Sequence, residues 1–178
     1  MTDKPALRAR LRALRDEVAG PPIPPLPPFL DRLHPGLVVA SYMPVGGEAD
    51  PALFVDAALA ADCRIALPHV TDRASPLRFL AWAGDASLIA GPFGLRHPAP
   101  DLPELGPDII LTPLVGFDRS GNRLGQGAAH YDRAFAAHPA AWRVGIAWSA
   151  QEVDALPADP WDVPLHAIAT EKEWIAAR

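Results

Sequence analysis

The sequence contains a single cysteine, Cys63, and it lacks any apolar run close to the length that crosses a membrane. One cysteine cannot form an internal disulfide, so a disulfide-stabilised scaffold is excluded and a reducing cytoplasmic location is expected. A membrane-spanning helix needs about 20 consecutive apolar residues, and we therefore expect no membrane partner. The first 18 residues carry charges throughout and have no apolar segment, which argues against a secretory signal.

The chain also has no excess of positive charge and no motif typical of a zinc site or an esterase. Its formal net charge is −5, which argues against a general nucleic-acid binder but does not exclude a local basic pocket for a small anionic ligand. The six histidines show no metal-ligand spacing, and a lone cysteine cannot complete a zinc site. The GxSxG elbow of many esterases is absent.

The composition suits a globular protein with a sizeable core. The 178 residues are 49% hydrophobic, which predicts one domain over residues 1–178. An apolar stripe at helical spacing predicts a basic N-terminal helix within residues 1–18, and the proline-rich residues 20–28 predict an extended connector. Strand and helix patterns then alternate, and several strands are apolar throughout. The sequence therefore predicts an α/β fold, a single three-layer domain whose central, mainly parallel sheet is flanked by helices.

The order of the predicted elements also suggests where a ligand binds. The pattern predicts strands at 37–42, 64–67, 77–82, 108–112, 142–148 and 165–169, and helices at 29–33, 51–62, 126–138 and 171–178. In open parallel sheets, ligands bind beyond the carboxyl ends of the strands. Polar or glycine-bearing segments follow predicted strands at 44–50, 118–132 and 149–162. We expect these segments to form one composite site.

The segment RLGQGAAHYDR, residues 123–133, has the features of a phosphate-binding loop. Gly125 and Gly127 allow close backbone approach, and the helix expected next would present free N–H groups to phosphate oxygens. Arg123 and Arg133 add positive charge, and Asp132 could bind magnesium beside the phosphates. The loop is neither a Walker A motif nor GxGxxG. On spacing alone, a glycine-bearing turn into a surface helix explains it equally well.

Two further features point to ligand binding. Lys4, Arg8, Arg12 and Arg15 fall on one face of the first helix, where their mutual repulsion costs a few tenths of a kcal/mol per pair and would be relieved by a polyanion. A solvated helix face is the alternative explanation. Glu48 lies in a loop after a strand, where a carboxylate can accept hydrogen bonds from a substrate. The alternative is an exposed glutamate that only improves solubility.

Taken together, five segments resemble the 5-formyltetrahydrofolate cyclo-ligase family, also called methenyltetrahydrofolate synthetase. The resemblance covers nearly the whole chain in collinear order, and its long central segment is the most specific part. The matching segments are KPALR at 4–8, SYMPVGGEAD at 41–50, GPFGLRHP at 91–98, PDIILTPLVGFDRSGNRLGQGAAHYDR at 107–133, and GIAWSAQEVDALPADPWD at 145–162 followed by ATE at 169–171.

The resemblance implies a single α/β domain and an activity that uses ATP and Mg²⁺. The family converts 5-formyltetrahydrofolate into 5,10-methenyltetrahydrofolate, with release of ADP and phosphate. The implied partners are therefore ATP and a reduced folate, without nucleic acid or membrane, and the protein is expected to be a cytoplasmic monomer.

The resemblance also assigns residues to roles. It implies that Tyr42 and Glu48 bind the folate, and that Asp132 and Asp162 bind Mg²⁺. Arg123 and Tyr131 are the candidate catalytic residues. The implied ATP-binding residues are Lys4, Arg8, Arg123, Leu124, Gly125, Gln126, Gly127, Ala128, Ala129, His130 and Tyr131.

The phosphate loop departs from the family pattern. It reads GQGAAHYD, where the family commonly reads GYGGGYYD or has a lysine before the last glycine. His97 likewise occupies a position where the family often has glutamate. These departures keep two alternatives open. One is a non-catalytic paralogue that binds reduced folate or ATP, and the other is an ATP-dependent ligase or kinase for another small anionic substrate.

Overall fold

The computed structural model describes residues 3–84 and 88–177. The first two residues of the predicted segment 1–18 and the last residue of the predicted helix 171–178 lie outside this part. The helices are α1 Lys4–Asp16, α2 Pro27–Leu30, α3 Ala52–Ala60 and α4 His130–Ala137, with 3₁₀ helices at Pro92–Gly94 and Ser149–Gln151. The strands are β1 Val38–Ala40, β2 Arg64–His69, β3 Arg78–Trp82, β4 Ile89–Ala90, β5 Arg96–His97, β6 Ile109–Pro113, β7 Gly116–Phe117, β8 Arg123–Leu124, β9 Trp142–Ile146, β10 Ala167–Ala169 and β11 Trp174–Ala176.

A seven-stranded sheet forms the centre of the fold, in the order β11-β10-β9-β6-β1-β2-β3. The five inner strands run parallel to one another, and each edge strand pairs antiparallel with its neighbour. The prediction of a mainly parallel sheet is confirmed. Two small antiparallel pairs, β4 with β5 and β7 with β8, lie outside it.

Alternate residues of the strands supply the cores on the two faces of this sheet. On one face Val39 and Ile109 pack in a cluster with Phe29 of α2 and Phe54 of α3. On the other face Ile110 belongs to a cluster that includes residues of α4. This period of two follows from strand geometry, and it explains why the inner strands are apolar throughout. Helices cover both faces, as predicted.

Helix α1 packs beside these layers and brings its basic side chains to the carboxyl-end edge of the sheet. The Asp3 carboxylate caps it by accepting from Ala6 N at 3.4 Å, as is common at helix starts. Leu11 is buried in a third cluster with Val115, Leu124 and Leu156. Because Leu11 anchors the helix, its basic face lies over the loop that follows β8. No helix in the described ranges has the length and apolar character needed to cross a membrane.

The prediction of a C-terminal helix at 171–178 is wrong. The chain turns at Thr170, whose Oγ1 accepts from Glu173 N at 3.1 Å, and returns as β11 beside β10. Burial of Ile175 in the core stabilises this strand. Glutamate, lysine and alanine favour helices intrinsically, but here sheet pairing and burial outweigh that preference.

Two further boundaries differ from the predictions. Helix α2 begins at Pro27, so the extended connector is shorter than residues 20–28 and the helix starts before residue 29. Helix α4 begins at His130 rather than at residue 126. Gly127 has φ +102° and Ala129 has φ +53°, and such left-handed residues cannot continue a right-handed helix. Residues 126–129 therefore form a turn before the helix.

Candidate functional site

A cavity of about 720 Å³ lies at the carboxyl-end edge of the central sheet. Tyr42 follows β1, Val70 follows β2, and Pro113 ends β6, and all three residues line it. This is the location expected for ligand binding in an open parallel sheet. The cavity also receives residues from α1, from the loop after β8 and from the loop after the second 3₁₀ helix, so all three of the polar segments predicted to form one site contribute to its lining.

The structure brings together on this cavity all of the residues to which the family resemblance assigns a role, whereas Arg12 and Arg133 are not among the lining residues of the described chain. The assigned residues come from four separate parts of the sequence and converge because α1 and three loops meet at one edge of the sheet. The predicted residues that line the cavity are Lys4, Arg8, Tyr42, Glu48, Arg123, Leu124, Gly125, Gln126, Gly127, Ala128, Ala129, His130, Tyr131, Asp132 and Asp162.

One end of the cavity is formed by α1 and an acidic loop near the C-terminus. Lys4 Nζ lies 2.5 Å from Asp159 Oδ2 and 3.8 Å from Asp162 Oδ2. Arg8 Nε donates to the carbonyl oxygen of Gly125 at 2.9 Å. Each basic group retains further donors, since a lysine has three and an arginine five. They can therefore bind phosphate oxygens while keeping these contacts.

The loop after β8 is held against α1. Arg12 donates to the side chain of Gln126 at 2.6 Å, and the guanidinium of Arg8 lies 3.8 Å from the position that a Cβ on Gly127 would take. With φ +102°, Gly127 has a backbone conformation that favours glycine. The structure thus has a glycine-bearing turn at the predicted loop, and this turn faces α1, although the helix after it starts later than predicted.

Arg123 is fixed by contacts on three sides. Its Nη1 donates to the carbonyl oxygen of Val163 at 2.6 Å, and its Nη2 forms an ion pair with Asp132. The guanidinium carbon lies 4.5 Å from the centre of the Phe135 ring, within range of a cation–π interaction. The charge is therefore preorganised at the cavity wall.

The other end of the cavity contains a buried carboxylate. Glu48 Oε2 accepts from Val45 N at 3.0 Å, and Oε1 accepts from Gln126 Nε2 at 3.3 Å. Burial raises the pKa of Glu48, and the nearby Arg15 guanidinium partly opposes that increase. Glu48 is thus a desolvated acceptor held by its own loop, not an exposed solubilising residue.

Two tyrosines lie near this carboxylate. The Tyr42 hydroxyl donates to the carbonyl oxygen of Ala49 at 2.5 Å, and burial followed by the charge of Glu48 raises the pKa of Tyr42. The same two causes raise the pKa of Tyr131, whose ring packs on Phe135 with centroids 6.0 Å apart. Both hydroxyls stay protonated at neutral pH.

His130 is the first residue of α4 and lines the cavity, and Arg133 contacts its side chain. Arg133 Nη2 lies 3.1 Å from His130 Nδ1 and 2.9 Å from the carbonyl oxygen of Arg73. Burial, followed by the charge of Arg133, lowers the pKa of His130. The sequence suggested that Arg133 pairs with phosphate, but in the described part of the chain it is not among the cavity-lining residues. Its guanidinium instead supports the wall.

Two of the carboxylates on the cavity match the number that a protein typically supplies to Mg²⁺. Within residues 3–84 and 88–177, no group of three or more histidine, cysteine, aspartate or glutamate side chains could hold a metal ion. Asp132 and Asp162 nevertheless line the same cavity as the basic groups. Mg²⁺ is typically bound by one or two carboxylates together with substrate phosphates and waters, which is the donor set that two carboxylates beside a phosphate site would provide.

Sequence reasoning missed several lining residues. Asp159, which pairs with Lys4, and Trp161, which is 70% exposed, lie within the predicted segment 149–162 but were not singled out. Asp159 N donates to Asp162 Oδ2 at 2.8 Å. The three-residue spacing of these two aspartates is the sequence signal from which Asp159 could have been identified. An apolar wall that includes Leu77 and Leu95 has no chemical signature in the sequence.

Comparison with known proteins gives a consistent result. The sequence profile described as the 5-formyltetrahydrofolate cyclo-ligase family matches residues 30–171. The chain is 36% identical over 151 residues to the 5-formyltetrahydrofolate cyclo-ligase of Mycolicibacterium smegmatis, covering 80% of this chain and 77% of that protein. It is 33% identical over 144 residues to the protein of the same name from Escherichia coli strain K12, covering 76% and 79%. The NMR structure of Aquifex aeolicus 5,10-methenyltetrahydrofolate synthetase superposes with a TM-score of 0.77 at 28% identity, covering 98% of this chain and 93% of that one.

Proposed function

The chain belongs to the 5-formyltetrahydrofolate cyclo-ligase family, and we propose that it converts 5-formyltetrahydrofolate into 5,10-methenyltetrahydrofolate with consumption of ATP and Mg²⁺. The observation that carries this proposal is the single cavity with two chemically different ends. Lys4, Arg8 and Arg123 supply positive charge at one end, and Glu48 supplies a buried acceptor at the other. Such a cavity suits a polyphosphate and a neutral ring with hydrogen-bond donors, bound side by side.

The proposed reaction has two steps and needs no covalent enzyme intermediate. The formyl oxygen attacks the γ-phosphorus of ATP, the bond to the β-phosphate oxygen breaks, and ADP leaves. N10 of the folate then attacks the activated carbon and loses its proton, and phosphate departs with the former formyl oxygen. Because the protein forms no bond, its contribution is positioning and charge neutralisation.

The residues divide these tasks. Lys4, Arg8 and the backbone of residues 124–131 would hold the phosphates. Arg123 is already fixed by Val163 and Asp132, so it can neutralise the charge that develops on the transferring phosphoryl group without reorganising. Tyr131, whose raised pKa keeps its hydroxyl protonated, is proposed as a hydrogen-bond donor to the reacting groups.

Asp132 and Asp162 are proposed to hold Mg²⁺, which would neutralise negative charge on the ATP phosphates. Both are partly exposed to the cavity, with 23% and 28% of their side chains accessible. Their present partners are Arg123 and Lys4, which are also proposed phosphate contacts. Because each of these groups has further donors or acceptors, Mg²⁺ and the phosphates would bind while the ion pairs within the protein are kept.

We also propose that the protein acts as a cytoplasmic monomer on small molecules. One chain supplies all of the proposed binding residues, and the net charge of −5 disfavours nucleic acid. Sedimentation equilibrium checks the monomer: a stable dimer at micromolar concentration would contradict it.

One assay tests the activity. The protein is mixed with 5-formyltetrahydrofolate and Mg-ATP, and the near-ultraviolet absorbance of the methenyl product is followed. We expect product that requires ATP and that is abolished by chelating Mg²⁺. Tight folate binding without product would replace the proposal with a non-catalytic binding role. Absence of folate binding would contradict both and favour a different anionic substrate.

A further inference from the structure

Arg15 presents a buried, incompletely paired guanidinium to the substrate cavity. It lies in the last turn of α1, lines the cavity, and has only 7% of its side chain exposed. Its Nε donates to Asp16 Oδ1 at 3.3 Å. Its Nη1, in contrast, is 3.6 Å from Glu48 Oε1, which is too long for a hydrogen bond. Among the described residues that nitrogen has no hydrogen-bond partner. A buried charged donor left unpaired is costly and is uncommon in native proteins, so a ligand group is the expected partner.

The positions of Arg15 and Glu48 relative to each other are fixed by close packing. The loop that carries Glu48 presses against the end of α1: a Cβ added to Gly47 would lie 2.6 Å from Asp16 Oδ1 and 2.9 Å from Asp16 Cα. On its other side, Trp148 Nε1 donates to the Gly47 carbonyl oxygen at 3.0 Å. The acceptor and the donor therefore form a rigid pair in the cavity wall.

This pair matches one edge of a reduced pteridine ring. That edge has an amino group at position 2 and an N–H at position 3, which are donors, followed by the oxygen at position 4, which is an acceptor. A carboxylate next to a guanidinium offers the complementary order of acceptors and donor. A carboxylate alone would accept from the two donors and leave the oxygen at position 4 without a hydrogen-bond donor.

We propose that Arg15 is a specificity-determining residue whose Nη1 donates to the 4-oxo oxygen of the pteridine, while Glu48 accepts from N3–H and the 2-amino group. The inference rests on the proposed folate substrate. It predicts that Arg15 distinguishes a 4-oxo ring from a 4-amino ring, because a 4-amino group is itself a donor and would face the guanidinium without an acceptor.

The first test uses the wild-type protein. Binding of 5-formyltetrahydrofolate is compared with binding of its 4-amino-4-deoxy analogue by titration calorimetry. We expect the analogue to bind at least about 30-fold more weakly, because sites built to hydrogen-bond a substrate group reject analogues that lack it. Equal affinities would overturn the proposal without the need for any variant.

The second test measures how much of this discrimination depends on Arg15. Glu48 also contributes to it, because the 4-amino ring has no N3–H from which the carboxylate can accept. In Arg15→Met we expect the KM for 5-formyltetrahydrofolate to rise roughly 10- to 100-fold, with the KM for ATP unchanged. The ratio of the two ligand affinities should fall about tenfold in the same variant. Arg15→Lys keeps a charged donor and should retain part of the ratio.

The matched control is Arg10→Met, which removes an exposed arginine of the same helix and should leave both quantities unchanged. A raised folate KM in Arg15→Met with an unaltered 4-oxo to 4-amino ratio would show that Arg15 only positions Glu48, and would overturn the proposal. If Arg15→Met does not fold, the ratios of the wild type and Arg15→Lys decide. Wild-type protein that neither binds nor converts 5-formyltetrahydrofolate would instead refute the proposed function itself.

Discussion

The side-chain nitrogen of Lys4 lies 2.5 Å from a carboxylate oxygen of Asp159, although 155 positions separate the two residues. The contact joins the start of α1 to the loop that carries Asp162, at the edge of the proposed substrate cavity. Both side chains are partly exposed, so the pair contributes little to stability. Its significance lies in placing a cation where ATP phosphates are proposed to bind.

Replacing Lys4 with methionine should weaken ATP binding selectively. Loss of one charged contact predicts a rise of about tenfold in the KM for ATP, with the KM for 5-formyltetrahydrofolate unchanged because Glu48 lies at the other end of the cavity. Steady-state kinetics with each substrate varied in turn measure this. Arg10→Met, which removes an exposed charge from the same helix, is the control. An unchanged KM for ATP in Lys4→Met would contradict the assignment of Lys4 to the phosphates.

Asp132→Ala should remove nearly all turnover. The substitution removes a proposed Mg²⁺ ligand and also the partner that orients Arg123, so we expect kcat to fall at least about 100-fold. Residual activity should require a higher Mg²⁺ concentration than the wild type. Asp154→Ala, at an exposed position outside the cavity, is the matched control. Near-normal turnover in Asp132→Ala would refute the magnesium role.

The parts of the fold that could be predicted are those whose cause is local. The apolar runs at 37–42 and 108–112 are strands because both of their faces are covered, and this burial is visible in the sequence as uninterrupted hydrophobicity. The final strand Trp174–Ala176 could not be predicted, because its three residues gain stability from pairing with β10. The preceding residues Glu171, Lys172 and Glu173 favour a helix, and a run of three residues is too short to show a strand period in the sequence.

In the candidate site, too, locally determined features could be predicted from the sequence, and features that depend on packing could not. Gly125 and Gly127 mark the loop in the sequence, whereas the start of α4 at His130 depends on the left-handed conformation of Ala129. Arg15 belongs to a basic stripe that helical periodicity reveals. Its burial beside Glu48 depends on how α1 packs, and no spacing within the helix predicts it.

Glu48→Gln should reduce folate binding and change the dependence of stability on pH. Burial raises the pKa of Glu48, so its proton binds the folded state more tightly than the unfolded state. The resulting stabilisation is present below the ordinary value of 4.5 and is lost as pH rises through the raised pKa. Relative to the wild type, Glu48→Gln should therefore gain stability as pH increases from 4 to 7.

Urea unfolding at several pH values measures this trend, and Glu17→Gln, an exposed glutamate at the end of α1, should follow the wild type. The folate KM of Glu48→Gln should rise at least about tenfold, since an amide cannot replace both carboxylate acceptors. A variant that binds folate normally would rule out Glu48 as the acceptor.

His97 should make the protein less stable in mild acid. Its ring stacks on His69 with centroids 4.0 Å apart, and its Nδ1 accepts from Val70 N at 3.3 Å. Burial, followed by the nearby His69, lowers the pKa of His97, so the unfolded state binds its proton more tightly. Stability is then complete above the ordinary pKa of 6.5 and is lost as pH falls below it.

The pH dependence should accordingly be smaller in His97→Gln. We expect this variant to lose less stability than the wild type between pH 7 and pH 5 in urea unfolding. His34→Gln, which removes an exposed histidine, should lose as much as the wild type. Identical pH profiles for the wild type and His97→Gln would show that His97 titrates alike in both states.

Replacing each of the two alanines of the phosphate loop with glycine should change the free energy of unfolding in opposite directions. Ala129 has φ +53° at the start of α4, whereas Ala128 does not have a positive φ. An L-residue in the left-handed region pays roughly 1–2 kcal/mol, which glycine avoids, and part of this gain is offset by the greater entropy of glycine in the unfolded chain. We therefore expect Ala129→Gly to raise the free energy of unfolding by about 0.5–1 kcal/mol.

Ala128→Gly is the matched control, because it makes the same chemical change one residue earlier. There the entropic cost has no compensating relief of strain, so the free energy of unfolding should fall by about 0.5–1 kcal/mol. Urea unfolding of both variants measures the difference, and a shift of the same sign in both would contradict the left-handed conformation of Ala129.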